Sequence, residues 1–139
     1  MISLEMARQL REAGLSWRPT ERDTFALADH DMDDQVFVVS PLPAIVLIFQ
    51  GQPAVAFQAS PEWALDYVML TEVLWLPTEY QLRSALDSHI AADGPLSLER
   101  FSGGYRCTIG LGGTSQSFDG HDAETAYAYA LIAALIASA

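Results

Sequence analysis

The chain reads as an α+β protein, antiparallel sheet packed by helices, in the order α-ββββ-α-α-βββ-α. Three observations predict it. Capped stretches with apolar residues at helical spacing begin at Ser3, Thr78 and Asp122. Short runs rich in Val, Ile, Phe and Tyr stand between turn residues. Two glycine pairs, Gly103-Gly104 and Gly112-Gly113, join the last three runs as tight antiparallel turns. With 139 residues, 50% of them hydrophobic, the chain can bury roughly 68–70% of its unfolded surface and needs no disulfide or metal to hold it.

Ser3 caps a helix over Leu4–Ala13, with Leu4, Ala7 and Leu10 on one side and Gly14 placed to end it. A short strand is expected at Thr24–Leu27. The acidic loop Asp29-His30-Asp31-Met32-Asp33-Asp34 separates it from a strand at Gln35–Val39. After Pro41 and Pro43, the apolar run Ala44–Phe49 suggests a strand covered on both faces. Gln50-Gly51-Gln52 turns the chain into a strand at Ala54–Gln58. Ser60-Pro61 supplies an N-cap followed by proline at the first helical position. A helix is therefore expected through Glu62, Trp63 and Tyr67 towards Leu70, broken at Leu74-Trp75-Leu76-Pro77.

Thr78 and Gln81 form a capping box for a helix whose stripe is Leu82, Ala85, Leu86, His89 and Ile90. Strands follow at Leu96–Phe101, Tyr105–Leu111 and Ser115–Phe118, and Asp122 caps the last helix. Both halves, 1–76 and 77–139, thus read as helix, strands, helix. One α+β domain over 1–139 is the simpler reading, and an internal duplication is the alternative.

Charge narrows the classes of partner. There is no lysine; seven arginines face eighteen acids, a net charge of −11. Phosphate backbones and anionic lipid are repelled by such a chain, so neither nucleic acid nor a membrane is expected as partner. Met1–Gly14 carries charges throughout and has no apolar signal-peptide core. The uncharged run Ala126–Ala137 is shorter than the ~20 residues a membrane span needs. The single cysteine, Cys107, fits a reducing compartment, and the cytoplasm is inferred.

No catalytic constellation is visible, and no cofactor is expected. Asp29, Asp31 and Asp33 alternate like the opening of a calcium loop, but Asp34 occupies the position that demands glycine and Ser40 the one that demands glutamate. Asp29, Asp31, Asp33 and Asp34 are therefore weak metal candidates, and a loop solvating its own charges is the favoured reading. His30, His89 and His121 are too scattered for a zinc site. His89 is expected in the core or an interface, and His121 beside the Asp122 cap. Cys107 shares a strand face with Tyr105 and Ile109 while Arg106 points the other way, so a buried structural thiol is expected. Trp17, Trp63 and Trp75 read as core anchors at element boundaries.

The last helix is apolar on every side, with Tyr127, Leu131 and Leu135 on one face and Ile132 and Ile136 on another. Such a helix is buried all round or meets a partner. These five residues are the interface candidates, with a homodimer or bound protein as the partner. The small alanines along the helix support the competing account, close packing on a sheet.

Several stretches, Gly14-Leu15-Ser16-Trp17-Arg18-Pro19, Asp31–Ser40, Glu62-Trp63-Ala64-Leu65-Asp66 and Leu74–Arg83, resemble a family of small, mostly actinobacterial proteins without established function. Members often carry a pilus-assembly label, which implies a partitioning-type ATPase; this chain has no phosphate loop. In element order, Pro77–Ala139 is similar to double-stranded-RNA-binding domains, yet Asp119 to Glu124 stand where those domains clamp phosphates with lysines. The whole chain loosely resembles type III secretion chaperones, which implies a small acidic dimer holding a partner's segment. The expected function is a non-enzymatic protein-interaction module, chaperone-like or adaptor. The alternatives are an acidic inhibitor that mimics nucleic acid or neutralises a basic toxin, and an enzyme whose site is not legible.

Overall fold

The computed structural model describes residues 1–27, 36–38, 44–49, 52–57, 67–69 and 73–138. The chain is α+β and divides into two compact units, one of Met1–Ser16 with Pro77–Ala139, the other of Trp17–Leu76. The boundary at Pro77 is where the sequence divides into halves, but the first helix belongs with the C-terminal segment, not with the half it precedes.

In the first unit, α1 (Leu4–Glu12) is capped by Ser3, whose hydroxyl accepts from the Met6 amide at 3.1 Å. Its buried side is Met6, Ala7 and Leu10. Helix α2 (Glu79–His89) opens with the full capping box: the Thr78 hydroxyl accepts from the Gln81 amide, and the Gln81 side chain from the Thr78 amide. Strands β7 (Leu96–Phe101), β8 (Gly104–Leu111) and β9 (Thr114–Gly120) form an antiparallel sheet in the order β7-β8-β9. Both ladders run without a bulge, from Leu96 opposite Ile109 to Phe101 opposite Gly104, and from Tyr105 opposite Gly120 to Leu111 opposite Thr114. The β8–β9 turn consists of Gly112 and Gly113 at φ 58° and 84°. Two left-handed residues in succession match the twist of the strands, and glycine adopts them without a Cβ penalty.

Helix α3 (Ala123–Ala137) packs on β8 and β9, against α2, and against α1. Alternation in β8 turns Cys107 and Ile109 into this core and Arg106 and Thr108 away from it. Leu82, Leu86, Ile109 and Leu131 are fully buried. Each such side chain contributes about 1.5–3 kcal/mol through removal from water.

The second unit, as described, holds β1 (Thr24–Leu27), β2 (Phe37–Val38), β3 (Ala44–Phe49), β4 (Gln52–Phe57), β5 (Tyr67–Met69) and β6 (Val73–Trp75). They form two antiparallel sheets, β2-β1-β6 and β3-β4-β5. The β3–β4 hairpin matches expectation, from Ala44 opposite Phe57 to Phe49 opposite Gln52. Burial of both faces of β3 is an expectation that falls on side chains outside the described set.

The sequence misplaces β5 and β6. Tyr67–Met69, expected as the end of a helix, pairs with Ala54–Ala56, and Val73–Trp75, which overlaps the helix break expected at Leu74-Trp75-Leu76-Pro77, pairs with Phe25–Leu27. Aromatic and β-branched residues satisfy their backbone groups on a neighbouring strand as readily as within a helix, and here the ladder wins. The remainder of that expected helix, with Trp63, lies outside the described residues. Trp17 and Trp75 stack at 6.3 Å with 9° between their planes, and Trp17 also meets Phe25 at 5.8 Å. Both tryptophans are half-buried, so they anchor the edge of this unit rather than its centre. The buried Asp23 carboxylate accepts from Trp17 Nε1 at 2.9 Å and from the Thr20 amide at 3.0 Å. Trp75 Nε1 is buried and meets no acceptor among the described residues.

Candidate protein-interaction surface

Asp122 starts α3. Its carboxylate accepts from the Thr125 amide at 2.8 Å and meets the positive end of the helix. Burial raises the Asp122 pKa, but bonding to Thr125, the neighbouring His121 and the chain's terminal ammonium together hold it below the ordinary carboxylate value. Glu124 pairs with the Met1 ammonium at 3.3 Å. From Thr125 to Ala137 no charged residue follows.

The surroundings of α3 explain why it lacks a polar face on three sides. Sheet and flanking helices cover Ala126, Tyr127, Ala128, Ala130, Leu131, Ala134 and Leu135. Three of the five interface candidates, Tyr127, Leu131 and Leu135, are therefore core residues at 5%, 0% and 5% exposure. The expectation that they face a partner is corrected by the sheet and the flanking helices that pack on α3. Ile132 is half-buried and Ile136 is 63% exposed. With Tyr129, 42% exposed, they form a stripe at i, i+3 and i+7 down the uncovered side of the helix, with Ala133 half-buried beside it. Tyr129 was not among the residues singled out from sequence; its spacing to Ile132 and Ile136 is the signal that could have found it.

The sheet face turned away from α3 is polar and largely self-satisfied. Arg106 makes a two-pronged pair with Asp119, Nε to Oδ1 at 2.8 Å and Nη2 to Oδ2 at 3.1 Å. Its guanidinium lies 4.8 Å from the Phe101 ring centre, and Glu99 stands opposite it on β7. Hydrogen bonding to Arg106 lowers the Asp119 pKa, and the same bond raises that of Arg106. Thr108 and Ser117 share a hydroxyl hydrogen bond at 2.8 Å. Asp119, Asp122 and Glu124 thus each hold a partner within the unit.

The remaining candidates sit apart from one another. Cys107 is fully buried, as expected, and burial pushes its thiol up to about 11, so it is no nucleophile at neutral pH. Tyr127 is held above its ordinary value, chiefly by burial and then by Cys107, with Arg83 pulling the other way. His89 is exposed at the end of α2, so the core half of its expectation is corrected. Its Nδ1 lies 2.8 Å from the Ala85 carbonyl, which can only accept, so Nδ1 is the donor in that contact. It lines an open cavity of about 380 Å³ with Ile90, Asp93, Pro95, Leu111 and Thr114. His121, 3.3 Å from Asp122, lines a separate concavity of about 350 Å³ with Arg100 and Tyr105. The lowered pKa of Asp122 is opposite to what a general acid requires.

Asp29, Asp31, Asp33 and Asp34, with His30, lie outside the described residues. Among the described residues, no three His, Cys, Asp or Glu side chains converge as metal ligands, and no helix is long and apolar enough to cross a membrane. No protein-family model, curated protein or solved structure matches this chain.

Proposed function

We propose that this chain is a non-enzymatic protein-interaction module, an adaptor or chaperone-like holder of a partner segment. The observation that carries the reading is the uncovered side of α3: Tyr129, Ile132 and Ile136 keep apolar surface in water on a helix whose other sides are core. Solvated helix faces ordinarily take polar residues, and a contiguous apolar stripe marks a contact surface. Aromatic and branched apolar side chains on a fixed helix are also the groups that anchor protein contacts. The resemblance to small actinobacterial proteins and the looser one to secretion chaperones accord with this role and add no residues to it. The acidic-inhibitor alternative draws less support, since Asp119, Asp122 and Glu124 serve a strand pair, a cap and a terminal ion pair rather than a free acidic stripe.

The test pairs binding with stability. A Tyr129→Ser/Ile136→Ser variant should retain the melting temperature of the parent within a few degrees, because both residues are exposed, and should lose the proteins that co-purify with the parent from its own cells. Identical co-purifying proteins for parent and variant, or none for either, would refute the reading.

A further inference from the structure

We propose that β9 is a self-pairing edge, through which two copies of this chain join their three-stranded sheets in antiparallel register about a two-fold axis at Ser117. The argument starts from hydrogen-bond parity. The Gly110 amide donates to the Pro95 carbonyl at 3.2 Å, on the β7 side of β8, so Gly110 and Ser115 oppose one another without bonding. Alternation along the ladder then turns the N–H and C=O groups of Ser115, Ser117 and Asp119 away from β8. All three residues are exposed, and among the described residues β9 pairs with β8 alone.

Sheet edges are ordinarily guarded by charge, proline or a bulge. The other edge, β7, carries Glu99 and Arg100. In contrast, β9 reads Thr-Ser-Gln-Ser-Phe-Asp-Gly, with no proline, no cation and no bulge. Its one charge, Asp119, is already paired with Arg106.

The occupant follows from register and charge. In an antiparallel pair centred on Ser117, each Ser115 faces the other copy's Asp119 and Ser117 faces itself. The outward residues therefore all meet as bonded pairs, which exchange two hydrogen bonds each. The two Asp119 carboxylates end up four residues apart along the strands, about 14 Å, beyond the ~8 Å screening length of physiological salt. A register centred on Asp119 would oppose them directly. A chain of net charge −11 repels its own kind over most of its surface; this seven-residue edge is a place where it does not. A basic partner drawn by charge would meet a single acid here, already neutralised.

The experiment is sedimentation of the full chain across a wide concentration range. Ser117→Pro removes an amide that the β8 ladder does not use, so the sheet should survive. Ser117→Asp, which leaves the backbone intact, sets two like charges face to face at the axis. The parent should show a monomer–dimer equilibrium. Either variant should weaken it about tenfold or more, Ser117→Asp less so at high salt. Tyr129→Ser/Ile136→Ser should leave it unchanged, which separates this inference from the proposed function. A parent that is monomeric at every concentration would overturn the proposal. So would a dimer indifferent to Ser117→Asp, or an edge that takes up a foreign strand but not its own.

Discussion

Gly120 lies where β9 runs into the first turn of α3, and replacing it by alanine tests that contact sharply. A Cβ built there would lie 2.5 Å from the Ala126 amide nitrogen, 2.8 Å from Thr125 Cβ and 2.9 Å from the Thr125 carbonyl carbon. None of these atoms is the far end of a flexible side chain, so relief requires α3 to lift from the sheet. Overpacking of this kind costs typically 1–3 kcal/mol. Since all three obstacles are fixed to the backbone, we expect Gly120→Ala near the top of that range, about 2–3 kcal/mol. At about 3–5 °C per kcal/mol for a chain of this length, the melting temperature should fall by about 6–15 °C. Gly112→Ala is the comparison: it has nothing within 4 Å of its added Cβ but sits at φ +58°. Its cost is the left-handed backbone alone, about 1 kcal/mol. Both values come from thermal and urea unfolding followed by circular dichroism. A Gly120→Ala loss under about 0.5 kcal/mol, the range of ordinary surface substitutions, would refute the close seating of α3 on the end of β9.

Three further outcomes follow from the same packing. Leu131→Ala empties a fully buried site between sheet and helices and should cost about 2–5 kcal/mol by urea unfolding; a loss under 1 kcal/mol would mean that the site is not enclosed. The Cys107 thiol, buried and pushed up to about 11, should react with an aromatic disulfide reagent at pH 8 only as fast as the chain unfolds, so rapid labelling of the native protein would contradict its burial. Asp122 has a lowered pKa in the fold, so its stabilising contribution is present above the unfolded value of about 3.9 and is lost as pH falls through the lower folded value. Asp122→Asn should flatten that acid limb in melts followed as the pH is lowered; an unchanged limb would show that the cap carboxylate does not carry it.

What the sequence disclosed was the local part of the fold. Ser3, the Thr78–Gln81 pair and Asp122 announce their helices through bonds made within one turn, and Gly112-Gly113 announces a hairpin through backbone angles that other residues resist. Tyr67–Met69 departs from expectation because Ser60-Pro61 is a strong helix opening, whereas the bonds that make β5 a strand run to Ala54–Ala56, a partner no local pattern names. The same distinction explains α3. Its apolar composition is evident, but which sides are covered depends on how β8, β9, α2 and α1 pack around it, which no local pattern shows. Tyr127, Leu131 and Leu135 accordingly looked as available as Ile132 and Ile136. The edge of β9 was invisible for a related reason: its open amides follow from the register of β8 against β7.

The most direct test of the proposed interaction surface places a photoreactive side chain at position 136, on the uncovered side of α3, and in a second protein at Ser97, on the exposed polar face of the sheet. Both are irradiated in the protein's own cells. The expected result is a discrete cross-linked protein adduct from position 136 that is absent from position 97. Equal adducts from both positions, or none from position 136, would contradict the account.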